Sequence, residues 1–323
     1  MSGDGRGIVA RVSVVMSVYN AERYLAQAVR SILQQDLEDF EFVVVDDGST
    51  DGSLGILRSF SDGRLVVLEQ ENQGLPKALN RGVRQARAPL IARMDADDVS
   101  MPNRLRLQLE FLEQNSDHVA VGSNARVIDE DGRYVYATDK PLDDRSLRAR
   151  CLQTPLEPPL IHPASMFRRA AFTAAGGYSE QVIGVEDTVL FNRMMRSGKF
   201  ANLAEPLIQY RIVPTSITRR ERASAEFSRI VQKAIESNCI SAAEARYLAE
   251  RTGNRSAQSR VVGYHSFLAK KLLWNSHRPV EARMHLRSAL RLRPTWEATL
   301  LYGASFLPES LVRRAYRMGK RWV

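Results

Sequence analysis

The stretch Leu90–Ser100, "LIARMDADDVS", places three aspartates within four positions directly after an apolar run. The apolar part predicts a buried strand that ends where the acidic part begins. Along an extended chain Asp95 and Asp97 would point to the same side, about 6.6 to 7 Å apart. Such like charges repel one another unless a cation lies between them. The stretch therefore predicts a site for a hard divalent cation, Mg²⁺ or Mn²⁺, while Asp98 or Ser100 can in addition cap the next helix.

Strand and helix patterns alternate on the N-terminal side of this stretch. The β-branched or apolar runs are "RVSVVMSV" (11–18), "FEFVVVD" (40–46) and "RLVVLEQ" (64–70). The amphipathic segments are "AERYLAQAVRSILQQDL" (21–37), "SLGILRSF" (53–60) and "GLPKALNRGVRQAR" (74–87). Alternation of this kind implies right-handed crossovers and a mostly parallel sheet with helices on both faces, an α/β fold. Ligands bind such sheets beyond the carboxyl ends of the strands. Asp46 and Asp47, as well as Asp95, Asp97 and Asp98, would lie there.

Charge divides the chain into two differently built regions. The whole chain has a net charge of +9, but residues 216–323 carry 21 Lys and Arg against 8 Asp and Glu. The first 215 residues carry 25 against 29 and are therefore slightly acidic. Beyond about residue 218 the strand patterns stop and only helical spacing of apolar residues remains. The sequence thus predicts an α/β domain over residues 1–215 and a basic, helical region over residues 216–323.

Composition also indicates the cellular compartment in which we expect the protein to work. The chain has 44% hydrophobic and 26% charged residues, as ordinary globular proteins do. Cys151 and Cys239 lie in no metal-ligand spacing, which favours a reducing compartment. The sequence contains no apolar run of membrane-spanning length, and the N-terminus lacks the pattern of a targeting signal. We therefore expect a cytoplasmic protein, either in solution or on the inner face of the membrane.

Two other acidic pairs have two interpretations each. In "VVVDDGSTDGS" (43–53) the pair Asp46–Asp47 suits a capped turn, or a carboxylate that accepts a hydrogen bond from a base or ribose. In "GVEDTVLFNRMMRSG" (184–198) the pair Glu186–Asp187 opens an amphipathic helix, where the helix dipole alone favours acidic residues. A carboxylate in that position can also act as a general base. Neither pair identifies a function by itself.

Four segments together resemble the family 2 nucleotide-sugar glycosyltransferases of the GT-A fold. They are "VSVVMSVYNAERYLAQAVRSILQQ", "FEFVVVDDGSTDGS", "NQGLPKALNRGVRQARAPLIARMDADDVSMPNRL" and "GVEDTVLFNRMMRSG". The resemblance covers about residues 10 to 215 and implies a Rossmann-like GT-A catalytic domain. It further implies a nucleotide-sugar donor, taken to be a UDP-sugar, and an inverting transfer to a hydroxyl of a saccharide or lipid-linked acceptor. The implied process is cell-surface polysaccharide assembly.

The resemblance also implies roles for individual residues on the donor side. Those expected to contact the nucleotide sugar are Ser17, Tyr19, Asp47, Arg93, Asp95 and His162. Of these, Ser17 and Tyr19 would border the nucleobase, and Asp47 would accept a hydrogen bond from the base edge. His162 would face the sugar, although a lone histidine is as often a structural residue.

Metal binding and catalysis follow from the same resemblance. Asp97 would bind a Mg²⁺ or Mn²⁺ ion on the donor diphosphate, and Asp187 would deprotonate the acceptor hydroxyl in a single displacement. The sequence departs from the family at Val213, where relatives often have a histidine that completes the metal shell. No third protein ligand is therefore expected with this pattern.

Other classes of function remain open at this stage. A non-catalytic nucleotide-sugar-binding module would keep the same motifs, and the basic C-terminal region suggests a nucleic-acid-binding protein. No helix-turn-helix, zinc or RNA-binding pattern supports nucleic acid, which we do not expect as a partner. A peripheral contact with an anionic membrane is the alternative for the C-terminal helices. The residues expected at that contact are Leu311, Arg313, Arg314, Tyr316, Arg317, Lys320, Arg321 and Trp322.

Overall fold

The computed structural model describes residues 10–214, 224–253, 256–312 and 314, and one mixed sheet organises the first half of the chain. Its strands are β1 (Val12–Val18), β2 (Phe40–Asp46), β3 (Leu65–Glu69), β4 (Leu90–Met94), β5 (Val99–Ser100), β6 (His118–Ile128), β7 (Tyr134–Ala137), β8 (Met166–Arg168) and β9 (Lys199–Arg211). Their order is β3-β2-β1-β4-β8-β6-β9-β5, with β7 paired to β6. The α/β prediction is confirmed.

The parallel part of the sheet lies where the sequence predicts it. Strand β1 pairs in parallel with both β2 and β4, and β2 pairs in parallel with β3. Beyond β4 the sheet becomes antiparallel, at the pairs β4–β8, β6–β8, β6–β7 and β5–β9. The first four strands therefore place their carboxyl ends along one edge of the sheet.

Helices cover both faces of this sheet. Twelve α-helices have both ends among the described residues. They are α1 (Glu22–Leu33), α2 (Ser53–Arg58), α3 (Leu75–Gln85), α4 (Arg104–Gln114), α5 (Asp144–Gln153), α6 (Arg169–Ala174), α7 (Glu186–Met194), α8 (Ala225–Ser237), α9 (Ala242–Gly253), α10 (Ala257–Trp274), α11 (Pro279–Leu292) and α12 (Trp296–Ala304). Alternation along β1 sends Val14 and Met16 into a core with Leu25 of α1, whereas Val15 packs with Leu79 of α3.

The chain forms two compact units, and their boundary differs from the one expected at residue 215. Among the described residues, the first unit comprises 10–125, 139–210 and 224–252, and the second comprises 126–138, 211–214, 253, 256–312 and 314. Helices α8 and α9 belong to the first unit because apolar residues of α8 such as Phe227 and Ile230 pack with Val182 and Val185. Charge and helical periodicity cannot reveal such a long-range partner, and the division into a catalytic domain and a helical region at residue 215 stays a prediction.

The second unit contains a histidine pair in its helical core. His265 of α10 and His285 of α11 approach with their Nδ1 atoms 3.0 Å apart, next to the ring of Tyr264. Burial lowers the pKa of His265, and the neighbouring His285 lowers it further against the opposing charge of Glu130. Burial likewise lowers the pKa of His285, with Asp129 and Asp131 opposing and Arg133 adding to the shift. Both rings are therefore held neutral at pH 7.

This pair predicts acid sensitivity of the second unit. An unfolded histidine takes up a proton near pH 6.5, whereas these half-buried rings bind it only at lower pH. The unfolded state therefore binds more protons, and stability falls as pH decreases below about 6.5. Hydrogen exchange of α10 and α11 amides at neutral and mildly acidic pH should show this loss. H285Q should flatten the pH dependence and H118Q should not, so equal acid sensitivity in all three proteins would contradict the prediction.

Candidate functional site

Three carboxylates converge directly after β4. One oxygen from each of Asp95, Asp97 and Asp98 lies within 4.8 Å of the others, and Asp98 is buried. The chain leaves the extended conformation after Met94 and turns at residues 96 and 97. The expectation of an extended segment was therefore wrong, and a turn brings the three carboxylates together. An all-oxygen donor set of this kind fits a hard divalent cation such as Mg²⁺ or Mn²⁺.

The protein itself supplies one cation to this cluster. Arg93 is only 2% exposed, and its Nη2 donates to Asp95 Oδ1 over 2.6 Å, while Nη1 contacts the carbonyl of Met94. Burial would lower the pKa of Arg93, but the charge of Asp95 and its neighbours raises it above the ordinary value. Repulsion among the three aspartates is thus relieved in part without any metal.

A second buried guanidinium supports the first. Arg104 of α4 donates to the carbonyl of Arg93 over 2.7 Å and to Gln108 Oε1 over 3.1 Å. Burial lowers the pKa of Arg104 to about 9, and the charge of Asp98 opposes that shift. The side chain therefore remains charged at pH 7. The carbonyl at the end of β4 is fixed by this contact, which orients the turn that carries the aspartates.

The loops after β1 and β2 are bound to each other beside this cluster. The backbone N–H of Asp47 donates to the carbonyl of Val18 over 2.8 Å, and Thr50 N–H donates to Asn20 Oδ1 over 2.8 Å. Ser17 lies one residue before the end of β1, in register with Val45 of β2. Tyr19 follows that strand with 51% of its surface exposed. Ser17, Tyr19 and Asp47 therefore share the carboxyl edge of the parallel strands.

The Asp47 carboxylate anchors the segment that leads into α3. Its oxygens accept hydrogen bonds from Gln70 Nε2, Gln73 N–H and Gly74 N–H at 2.7 to 2.9 Å. Gly74 has φ +88°, a conformation that glycine adopts without strain. Asp46 differs, because its buried Oδ1 has no hydrogen-bond partner among the described residues. The capped-turn interpretation fits Asp46, whose Oδ2 accepts from the Ser49 N–H over 3.3 Å. Asp47 instead binds a distant loop, and its contact with a base edge stays a prediction.

His162 is a buried residue that contacts a tyrosine. It begins a short 3₁₀ turn, His162–Ala164, and its Nε2 lies 2.7 Å from Tyr178 Oη. Burial lowers the pKa of His162 well below its ordinary range, and the positive charge of Arg93 lowers it further. The ring is therefore neutral and close to the buried arginine. Its expected contact with the sugar remains a prediction.

Tyr178 is held from both sides and connects distant parts of the site. Asn80 of α3 accepts from Tyr178 N–H over 3.0 Å and donates to its carbonyl over 2.9 Å. Gly176 and Gly177 precede it with positive φ, and a Cβ on Gly177 would lie 2.9 Å from Asn80 Oδ1. Burial raises the pKa of Tyr178. The charge of Arg93 opposes this shift, whereas Glu186, Asp187 and Asp95 add to it.

Asp187 lies in the first turn of α7 and is partly exposed. Its Oδ1 accepts a hydrogen bond from the Thr188 N–H over 2.6 Å, as an acidic residue near a helix start does. Its charge acts on Tyr178, as those of Arg93 and Asp95 do. The structure therefore brings together, within one electrostatic neighbourhood, Arg93, Asp95, His162 and Asp187.

The sequence predicts no role for three residues near the site, Tyr178, Asn80 and Lys140. Tyr178 follows a Gly-Gly pair, a turn signal that could have drawn attention to it, whereas Asn80 shows nothing distinctive within its helix. Lys140 is half-buried, with its Nζ 3.5 Å from the Pro158 carbonyl. Burial lowers the pKa of Lys140, while the negative charges of Glu157 and Asp187 oppose the shift. No local pattern marks Lys140.

Comparison with known proteins identifies the family. The model of glycosyl transferase family 2 matches residues 13–175, half of the chain. The EpsE protein of Bacillus subtilis is 33% identical over 224 residues, which are 65% of this chain and 76% of the relative. The O-antigen biosynthesis glycosyltransferase WbnJ of Escherichia coli is 30% identical over 211 residues, 64% of this chain and 81% of the relative.

A solved structure agrees with the fold. Residues 1–349 of S. aureus TarS, in complex with UDP-GlcNAc, superpose with a TM-score of 0.54 at 19% identity. The match covers 96% of this chain and 92% of that one. The expected GT-A-like fold with a helical C-terminal region is thereby confirmed. The chain belongs to glycosyl transferase family 2 and is a glycosyltransferase.

Proposed function

We propose that the enzyme transfers a sugar from a UDP-sugar to a hydroxyl of a saccharide or lipid-linked acceptor, with inversion at the anomeric carbon. The observation that carries this proposal is the convergence of Asp95, Asp97 and Asp98 at the carboxyl edge of the parallel strands. TarS binds UDP-GlcNAc on a similar fold, and WbnJ is named for O-antigen biosynthesis. These neighbours support a UDP donor and a role in cell-surface polysaccharide assembly.

Donor binding is assigned to residues along that edge. Ser17 and Tyr19 border the nucleobase, and Asp47 holds the adjoining loop in place while offering its carboxylate to the base edge. Arg93 fixes Asp95, which contacts the ribose side of the nucleotide. The neutral ring of His162 can offer a hydrogen bond to the sugar without adding charge. Each group thus contacts a different part of the nucleotide sugar.

The cation is assigned to the acidic cluster. Asp97 would be its main ligand, with oxygens of Asp95 and Asp98 close enough to take part directly or through water. Bound Mg²⁺ or Mn²⁺ would neutralise charge on the departing diphosphate. Val213 occupies the position where relatives often carry a histidine, and it offers no ligand atom in its side chain.

Catalysis is assigned to Asp187. Its carboxylate accepts the proton of the acceptor hydroxyl while that oxygen attacks the anomeric carbon and the bond to the diphosphate breaks. A single displacement of this kind inverts the anomeric configuration. Helix α7 supports the role, because its first turn holds Oδ1 through the Thr188 N–H and leaves the side chain partly exposed.

An enzyme that uses a lipid-linked acceptor must reach the membrane surface where that acceptor lies. Among the described residues every helix is too short or too polar to span a bilayer. We propose peripheral contact of the C-terminal helices with anionic lipid at the inner face of the membrane. Of the residues expected there, Leu311 and Arg314 are exposed, whereas Arg313, Tyr316, Arg317, Lys320, Arg321 and Trp322 lie outside the residues whose side chains the structure describes.

Nucleotide-sugar binding can be tested by thermal unfolding. A donor that binds only the folded state raises the melting temperature, by RT ln(1 + [L]/Kd) in free energy. We expect a UDP-sugar to stabilise the protein in the presence of Mn²⁺ and much less without it. D97N should lose this metal dependence, while D62N, at a surface salt bridge, should retain it. Equal stabilisation with and without Mn²⁺ would contradict the metal assignment, and no response to any UDP-sugar would contradict the donor.

A further inference from the structure

Exposed apolar side chains are concentrated on two helices of the second unit. Thirteen large hydrophobic residues are exposed in the described part of the chain, and eight of them lie between Val280 and Leu311. Trp296 is 81% exposed and Leu300, one turn later on α12, is 62% exposed. A cluster of exposed apolar side chains on a globular protein marks a candidate interaction surface.

Four of the five exposed residues of α11 form one stripe, and the fifth is Leu292. Val280, Met284, Arg287 and Arg291 follow one another at intervals of four, three and four residues, the spacing of a single helix face. The stripe is therefore apolar at its N-terminal end and basic at its C-terminal end.

Contacts between the two helices join this stripe to α12. Arg283 donates to the carbonyl of Ser305 over 2.7 Å, and its guanidinium lies 4.7 Å from the ring centroid of Phe306. Arg287 Nε donates to Tyr302 Oη over 3.2 Å. We use the term α11–α12 face for the surface formed by Val280, Met284, Arg287, Arg291, Trp296, Leu300 and Phe306.

Charge indicates what this face binds. Two acidic residues of the segment have cationic neighbours, with Glu281 2.6 Å from Arg278 and Glu297 3.8 Å from Lys270, while Glu309 lies 3.7 Å from the His277 ring. In contrast, Arg287 and Arg291 have no carboxylate within 4.0 Å among the described residues. Their positive charges are therefore available to an anionic partner.

We propose that the α11–α12 face docks on an anionic lipid surface, a step that rests on the proposed function for its lipid-linked acceptor. Trp, Leu and Phe side chains beside arginines suit the boundary between headgroups and acyl chains. A symmetric contact with a second copy of the chain would bring like-charged arginines together. A nucleic acid would satisfy the arginines and leave the aliphatic side chains exposed.

Flotation of the full-length protein with lipid vesicles tests this inference. We expect it to float with an equal mixture of phosphatidylcholine and phosphatidylglycerol and to stay unbound with phosphatidylcholine alone. R287Q/R291Q should lower the ratio of bound to free protein about fivefold for each arginine removed. W296S/L300S should abolish most binding. Added salt should weaken binding, since the charges are screened.

Matched controls distinguish binding by this face from nonspecific binding by exposed residues elsewhere. L152S removes a leucine that is 83% exposed in the first unit, and R145Q/R246Q removes two exposed arginines there. Both controls should bind vesicles as the parent protein does. Equal binding by all variants would overturn the inference, and so would a dimer, measured by sedimentation, that W296S/L300S dissociates.

The same variants keep this inference distinct from the proposed function. Stabilisation by UDP-sugars and Mn²⁺ should be unchanged in W296S/L300S and R287Q/R291Q. Donor binding without vesicle binding would overturn the membrane contact and leave the assignment of sugar transfer intact, whereas vesicle binding without donor binding would overturn the donor assignment and leave the docking surface intact.

Discussion

D187N should lower kcat by about 10² to 10⁴ while leaving the dissociation constant of the donor unchanged, because general-base assistance contributes roughly that factor. The substitution is suited to the test, since asparagine keeps the Oδ1 atom that accepts from Thr188 N–H over 2.6 Å. The start of α7 should therefore remain folded, and the loss should come from the missing base. Steady-state transfer kinetics and donor titration measure the two quantities separately.

The control for this variant is E186Q. Glu186 precedes Asp187 in the same helical turn, is buried, and loses the same charge on substitution. Its effect on kcat should be far smaller than that of D187N. If D187N kept most of its turnover, or E186Q lost as much as D187N, Asp187 would not be the base. A product with retained anomeric configuration would contradict the single displacement independently of either variant.

The parallel half of the fold was predictable from the sequence because local patterns determine it. The runs that become β1, β2 and β4 are buried at every position except Ser17, as central parallel strands are. The helices between them have apolar spacing that matches the faces they bury. Gly82 adds a close approach that the spacing does not show, since a Cβ there would lie 2.6 Å from Val15 Cγ1.

The antiparallel half was not predictable in the same way. Strand β6 buries Ser123 and Asn124 among its apolar residues, and β9 alternates irregularly between buried and exposed positions. Neither pattern matches the continuous apolar run of a fully buried strand or the regular alternation of a half-exposed strand. Strand β8 has only three residues and exists because β4 and β6 flank it. Such strands are specified by partners far away in the sequence.

In the candidate site, too, local features were predictable from the sequence and long-range contacts were not. The acidic cluster is local, so Asp95, Asp97 and Asp98 could be recognised together within one segment. The pairing of His162 with Tyr178, and of Tyr178 with Asn80, depends on contacts across as many as 98 residues. The compensation of Asp95 by Arg93 lies between these cases. Arg93 and Asp95 are two positions apart in the sequence, but the burial that makes the ion pair strong is a property of the folded chain.

That buried ion pair leads to the second large effect. R93M should lower the free energy of unfolding by about 3 kcal/mol, the lower end of the range for breaking a buried ion pair, since Asp95 is about one-third exposed. The substitution leaves Asp95 beside Asp97 and Asp98 without the guanidinium that offsets their repulsion. It also removes the contact with the Met94 carbonyl. Urea unfolding measures the change, provided that the slope with denaturant stays the same.

A double-mutant cycle shows whether charge compensation is the cause. R93M/D95N removes both partners, so it should recover much of the stability that R93M loses, because no uncompensated carboxylate remains at that position. R106M provides the surface comparison, since Arg106 also pairs with an aspartate, Asp36, at 2.9 Å but is 41% exposed. We expect R106M to cost less than about 1 kcal/mol. If R93M/D95N were no more stable than R93M, packing of the arginine side chain, and not the neutralisation of the acidic cluster, would explain its burial.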